Sequence, residues 1–208
     1  YKRQHRDCLG ASDCERGQPV DGAAACVASR SNFPGRVTET RMEILTASTR
    51  DAPAISALAL SVAHFFTLDK DGRGADAFLQ TLQPEAVALR LQSPSFKTWV
   101  GWTRNNTLAG VVVVREDSHL FHLFVAEAFQ GLGYGQQLWQ HALSHIATGP
   151  EPGITVNATS HARGFYERMG FLATGPRVET RGVAFIPMQR ASDASSMAYT
   201  QAAGNTPF

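Results

Sequence analysis

The chain has 208 residues, 43% of them hydrophobic, which suits one domain of ordinary size with a buried core and flanking tails. With 19 Lys and Arg against 18 Asp and Glu, its charge gives no electrostatic case for a nucleic-acid or membrane partner, and no apolar run reaches the roughly 18 residues a membrane helix needs. Cys8, Cys14 and Cys26 are odd in number and confined to one end, so no disulfide framework is expected, and a cytoplasmic protein is.

Residues 1–41 show neither helical nor strand periodicity and are expected to be a disordered or non-native extension, with Met42 as the natural start. A single patterned domain is expected over 42–190, and residues 191–208, rich in Ser, Ala, Gly and Thr, read as a C-terminal tail. Met42 to Leu45 predicts a short strand. Asp51 to Phe66 predicts an amphipathic helix with Asp51 near its N-cap and Ile55, Leu58, Leu60 and Val62 apolar. Gly72-Arg73-Gly74 marks a loop, and Ala75 to Leu91 a second helix broken near Pro84.

Strands follow at Lys97–Thr103 and Leu108–Arg115, joined by the turn signal Arg104-Asn105-Asn106. Four consecutive valines, Val111 to Val114, predict a strand buried on both faces. Glu116-Asp117 turns the chain into a third strand, His119 to Val125, completing an antiparallel meander. The glycine-rich stretch Gln130-Gly131-Leu132-Gly133-Tyr134-Gly135 then leads into a helix to about Ile146. Pro150 to Gly153 reads as a loop and Ile154 to Val156 as a strand. Ser160 is expected to cap a helix ending at Gly170, with closing strands at Phe171–Ala173 and Val183–Met188.

A strand, a glycine turn and a helix form an anion-binding arrangement on physical grounds. Glycines admit close approach of a ligand to the backbone, and the first amides and dipole of a helix favour an anion. The amides of Leu132 to Gln136 are therefore candidates to cradle a diphosphate. A P-loop is excluded because Gln136-Gln137 follows Gly135, where Lys-Ser/Thr is required. A dinucleotide fingerprint is excluded by the G-x-G-x-G spacing and the preceding meander. His141 and His145 have ligand-like spacing but no H-E-x-x-H pattern, so no metal is expected.

The segment His119-Leu-Phe-His-Leu-Phe-Val125 followed by Gln130-x-x-Gly133-x-Gly135 resembles the coenzyme A-binding motif of the GNAT N-acetyltransferases. Val156-Asn157-Ala-Thr-Ser160 and Gly164-Phe165-Tyr166-Glu-Arg-Met-Gly170-Phe171 resemble the next motif of that family, and the resemblance spans Met42 to Arg190. It implies an α/β (α+β) fold: a mixed, mostly antiparallel central sheet with helices on both faces and parallel fourth and fifth strands that splay apart around the cofactor. It implies acetyl-CoA as co-substrate, with no metal, and acetyl transfer to a primary amine of a small molecule or a peptide. The alternative is a non-catalytic acyl-CoA sensor. Homodimers are common in the family.

By the same resemblance, the pyrophosphate lies on Gln130, Gly131, Leu132, Gly133, Tyr134, Gly135 and Gln136, and the pantetheine pairs with Leu123, Phe124 and Val125. Asn157 and Ser160 stand where the family contacts the cofactor. Aminolysis of a thioester needs a neutral amine, donors for the oxyanion and a proton for the leaving thiolate. Tyr166 is the candidate acid, and the backbone N–H near Val125 the oxyanion donor. His119 and His122 are candidate bases, and strict alternation along a strand puts them on opposite faces. Phe65 and Phe66 are candidates for the acceptor wall.

Overall fold

The computed structural model describes residues 42–146 and 153–190. The expected N-terminal extension, its cysteines, the C-terminal tail and most of the Pro150–Gly153 loop lie outside the described residues. The elements run β1 (Glu43–Thr46), α1 (Ala52–Ser61), α2 (Asp76–Gln80), α3 (Pro84–Gln92), β2 (Phe96–Trp102), β3 (Leu108–Arg115), β4 (His119–Val125), α4 (Tyr134–His145), β5 (Ile154–Ala158), α5 (Arg163–Arg168), β6 (Leu172–Ala173), β7 (Val178–Thr180) and β8 (Val183–Arg190).

The strands form one sheet in the order β1-β2-β3-β4-β5-β8-β6, with β7 paired to β8. Every pairing is antiparallel except β4 with β5. The meander β2-β3-β4 follows from its turns. Asn106 adopts positive φ in the first, and Glu116 and Asp117 both do in the second (φ 51° and 53°), a geometry that matches the twist of a two-residue hairpin.

The valines of β3 fix the layers. Val111 and Val113 pack with Ala52, Ile55 and Leu58 of α1 and Val87 of α3. Val112 and Val114 pack on the opposite face with Leu138, Trp139 and Ala142 of α4. All four are at most 2% exposed, so each contributes about 1.5–3 kcal/mol of burial, and helices cover both faces as expected.

Several local expectations are corrected. The helix predicted over 51–66 stops at Ser61, whose Oγ donates to Leu58 O at 2.8 Å, and the chain continues as a single 3-10 turn over Ala63–Phe65. Asp51 does stand at the N-cap of α1 as expected, but its side chain does not cap that helix: Oδ2 accepts the Ser48 N–H at 2.7 Å, closing the 3-10 turn that precedes it. The break expected near Pro84 is present: the 75–91 stretch divides into α2 and α3, with Pro84 at the first turn of α3, where its missing N–H costs nothing. Ser160 does not cap α5. The N-cap position is Ala162, with no side-chain cap; Thr159 Oγ1 accepts the Ala162 N–H at 3.0 Å in the turn before the helix, and Ser160 stays exposed. Strand β7 has no counterpart in the sequence reading. Its three residues are all exposed, so no hydrophobic alternation marks them.

Candidate functional site

Strands β4 and β5 pair at only two positions, His119↔Thr155 and Leu120↔Val156, and beyond Leu120 they diverge. The edge of β4 that faces β5 is therefore left without a strand partner over Phe121–Val125, so its main-chain groups, apart from Val125 O, to which Gln130 Nε2 donates, are available to a ligand. A cavity of about 870 Å³ lies along this gap, within the size range of small-molecule sites.

A bulge shapes the β4 wall. Val113 pairs with His122 and Val114 with Leu120, so β4 carries an extra residue at Phe121. Alternation is rephased there. Leu120 and Leu123, three residues apart, both pack against the α4-side core, and Phe121 and Phe124 both pack against the α1–α3 core. The expectation that His119 and His122 face opposite ways is thereby overturned. Both rings contact Phe121, at centroid distances of 6.3 and 4.4 Å, and both line the cavity.

The glycine turn closes one end. Gly131 and Gly133 adopt φ of 74° and 83°, and a Cβ built on either meets nothing within 4 Å, so their missing side chains leave open space beside the helix start. Gly133 is the N-cap of α4, a helix of 12 residues, and Gly135 and Gln136 lie in its first turn, where no i−4 carbonyl exists. Gly135 also admits α5: a Cβ there would lie 3.4 Å from the Phe165 ring. The Gln130 side chain is turned elsewhere, its Nε2 donating to Val125 O at 3.0 Å and tying the turn to the end of β4.

Of the residues predicted for the site, Leu123, Phe124, Val125, Gln130, Gly131, Gly133, Tyr134, Gly135, Gln136, Asn157, Tyr166, His119 and His122 line the cavity. Leu132, 55% exposed, and Ser160 do not. Tyr166 is buried on α5 between Phe165 and Phe171, and burial raises its phenol above the ordinary value of 10.0. His119 is half-buried, and its Nδ1 shares a 2.8 Å hydrogen bond with Thr155 Oγ1. Desolvation and the Arg115 guanidinium lower its pKa. Burial, then Arg90 and His119, push His122 down to about 3, so it is neutral throughout the physiological range.

The opposite wall was only partly foreseen. Phe65 and Phe66 line it as expected, joined by Phe78 and Thr81 of the α2 region, His161, and Arg181 between β7 and β8. Phe65 stacks on His161 with centroids 4.3 Å apart, linking the end of α1 to the loop before α5. No local motif marks these residues. Their convergence depends on the backbone bonds Leu68 N–H to Gly182 O (2.8 Å) and Ala184 N–H to Phe66 O (3.1 Å), which join segments more than a hundred residues apart. Among the described residues no cluster of three or more His, Cys, Asp or Glu is placed to hold a metal ion, and no helix is long and apolar enough to cross a membrane.

Comparison with known proteins agrees with this geometry. The chain is 33% identical over 85 residues to the "Peptidyl-lysine N-acetyltransferase YjaB" of Salmonella typhimurium, a match covering 39% of this chain. It covers 54% of that protein, so the chain spans about half the length of the curated relative it matches. Among solved structures, a GCN5-related N-acetyltransferase from Rhodopseudomonas palustris superimposes with a TM-score of 0.60 at 18% identity, covering 73% of this chain and 96% of that one. The PaiA N-acetyltransferase of Thermoplasma acidophilum, solved in complex with coenzyme A, gives 0.56 at 16% identity, covering 72% and 99%. At such identities these two show the fold. Residues 66–192 match the family described as "Acetyltransferase (GNAT) domain", and that match takes in more than half of the chain, so the chain belongs to the GNAT acetyltransferase family.

Proposed function

We propose that this protein transfers the acetyl group of acetyl-CoA to a primary amine bound against the wall formed by α1, α2 and the β7–β8 turn. The observation that carries the reading is the splayed gap between β4 and β5 ending on the glycine turn, with one cavity running the length of both. The open space at Gly131 and Gly133 fits a diphosphate, and the first-turn amides of α4 supply donors and a favourable dipole for it. The unpaired edge of β4 fits the amide groups of a pantetheine arm, which pair as a strand would.

Bound in this way, acetyl-CoA supplies the activated acyl group. The residues of the chain position it, exclude water and handle protons. A backbone N–H on the edge of β4 near Val125, where the strand has no partner across the gap, stabilises the oxyanion. Tyr166 donates a hydrogen bond to the leaving thiolate. Because burial makes its phenol a weaker acid, its contribution is donation rather than complete loss of the proton. Of the two histidines, His119 is the better proton acceptor. His122 is too weak a base, whereas His119 is neutral near pH 7 and its ring is oriented by Thr155. An amine that arrives uncharged needs neither before attack, and the proton it sheds from the tetrahedral intermediate as the C–S bond breaks passes to water or to the departing thiolate.

Calorimetry with free CoA, together with thiol release from acetyl-CoA across an amine panel, tests the reading. Micromolar CoA binding and amine-dependent thiol release are expected. No heat at near-millimolar CoA would overturn it, and binding without turnover of any amine would favour an acyl-CoA sensor.

A further inference from the structure

The acceptor half of the cavity has a definite chemical character. Its walls are Phe65, Phe66, Phe78, Phe124 and the neutral His122, and among the described residues no Asp or Glu lines any part of the cavity. Nearby carboxylates are turned to partners outside it: Asp69 to Arg73 at 2.9 Å, Glu127 to His64 at 3.4 Å, and Glu179 to Arg177. Two arginines line the cavity, Arg168 of α5 and Arg181 between β7 and β8, and no carboxylate pairs with either among the described residues; Arg181 is the one beside the wall that carries Phe65 and Phe66.

Arg181 is also held on a rigid mount. It sits at φ 46° in the turn between β7 and β8, followed by Gly182 at φ 74°. Gly182 is pressed on the loop before α2 so closely that a Cβ would lie 2.3 Å from Gly74 C, and the Thr67↔Val183 bridge fastens the same contact. An unpaired, exposed guanidinium carried on that fixed backbone, beside an aromatic pocket lined by no carboxylate among the described residues, attracts anions and repels a second cation.

We propose that the acceptor is an amine carried on an aromatic or apolar body that bears an anionic group and no second positive charge, with Arg181 as the residue that reads the anion. This rests on the acetyl-transfer reading above. The site then selects against polyamines and against lysines in basic peptides.

The test compares aminomethylbenzoate, benzylamine and spermidine as acceptors for the full chain, at low ionic strength. The expected order of kcat/KM is aminomethylbenzoate, benzylamine, spermidine, with about tenfold between the first and the last, narrowing as salt is added. Arg181→Asp, a residue type that tolerates left-handed φ, should lower the aminomethylbenzoate-to-spermidine ratio at least tenfold. Ala77→Glu, on the exposed face of α2 that lines the same mouth, should shift it in the same direction. Spermidine or a basic lysine peptide as the better acceptor, or a ratio untouched by both substitutions, would overturn the proposal. If CoA binds but no amine is acetylated, acetyl transfer itself has failed. The binding order of the three compounds to the CoA-saturated protein then decides the charge preference by calorimetry.

Discussion

Two buried titratable side chains carry opposite consequences. His122 is held at a pKa of about 3 against an ordinary 6.5, so below pH 6.5 the unfolded chain takes up a proton that the folded one refuses. The stabilisation from a neutral His122 is complete above pH 6.5 and is lost as pH falls toward 3, at up to about 1.4 kcal/mol per pH unit. His122→Leu should flatten that acid limb in urea titrations between pH 6.5 and 4, and an unchanged slope would show that other groups cause it. Tyr166 differs in that its neutral form is the functional one. Tyr166→Phe keeps the ring contacts with Phe165 and Phe171 at 5.2 and 5.5 Å but removes the donor. The expected result is a kcat at least tenfold lower with CoA affinity changed less than threefold. Equal kcat in single-turnover measurements would remove Tyr166 from the chemistry. Both residues were named as candidates through the resemblance to the family's motifs. Their protonation behaviour was not legible in the sequence, because it depends on how completely other elements bury them.

The glycine turn is the element whose role is easiest to separate from folding. Gly133 adopts φ 83° at the N-cap of α4 with open space beyond it. Gly133→Ala pays about 1–2 kcal/mol of left-handed strain but adds only a methyl, whereas Gly133→Val carries similar strain and fills the cradle. If the turn holds a diphosphate, the valine variant loses at least tenfold more CoA affinity than the alanine variant, as read by calorimetry on folded protein. Matched losses would assign the effect to strain alone. Sequence pattern located this element because glycine spacing and helix periodicity are local properties. It could not foresee that the Gln130 side chain reaches back to Val125 O rather than toward the ligand, or that α5 has its N-cap at Ala162 after a turn held by Thr159, leaving Ser160 outside the cap. Those choices turn on one-residue differences in where a helix begins.

At the scale of the molecule, the site is a discontinuity in the sheet. The meander is continuous from β1 to β4, but the β4–β5 pairing covers only two register positions before the strands part. The exposed edge costs backbone hydrogen bonds, and a ligand that satisfies them stabilises the fold by mass action, by about 2.7 kcal/mol at a hundredfold excess over Kd. Amide hydrogen exchange should therefore slow on CoA binding over residues 121–125 and 133–136, while β2 and β3, already paired on both sides, change little. Uniform slowing across the sheet, or none in β4, would place the ligand elsewhere.

The sequence by itself determined the order of the elements other than β7, the antiparallel meander, the doubly buried third strand and the glycine turn before a helix. Each is written in residues a few positions apart, through periodicity, turn chemistry and backbone freedom. Only the tertiary structure decided which way the two histidines of β4 face, because a single bulged residue rephases the alternation. It alone assembled the acceptor wall from the end of α1, α2 and the β7–β8 turn, since contacts between segments more than a hundred residues apart leave no local pattern for the sequence to display.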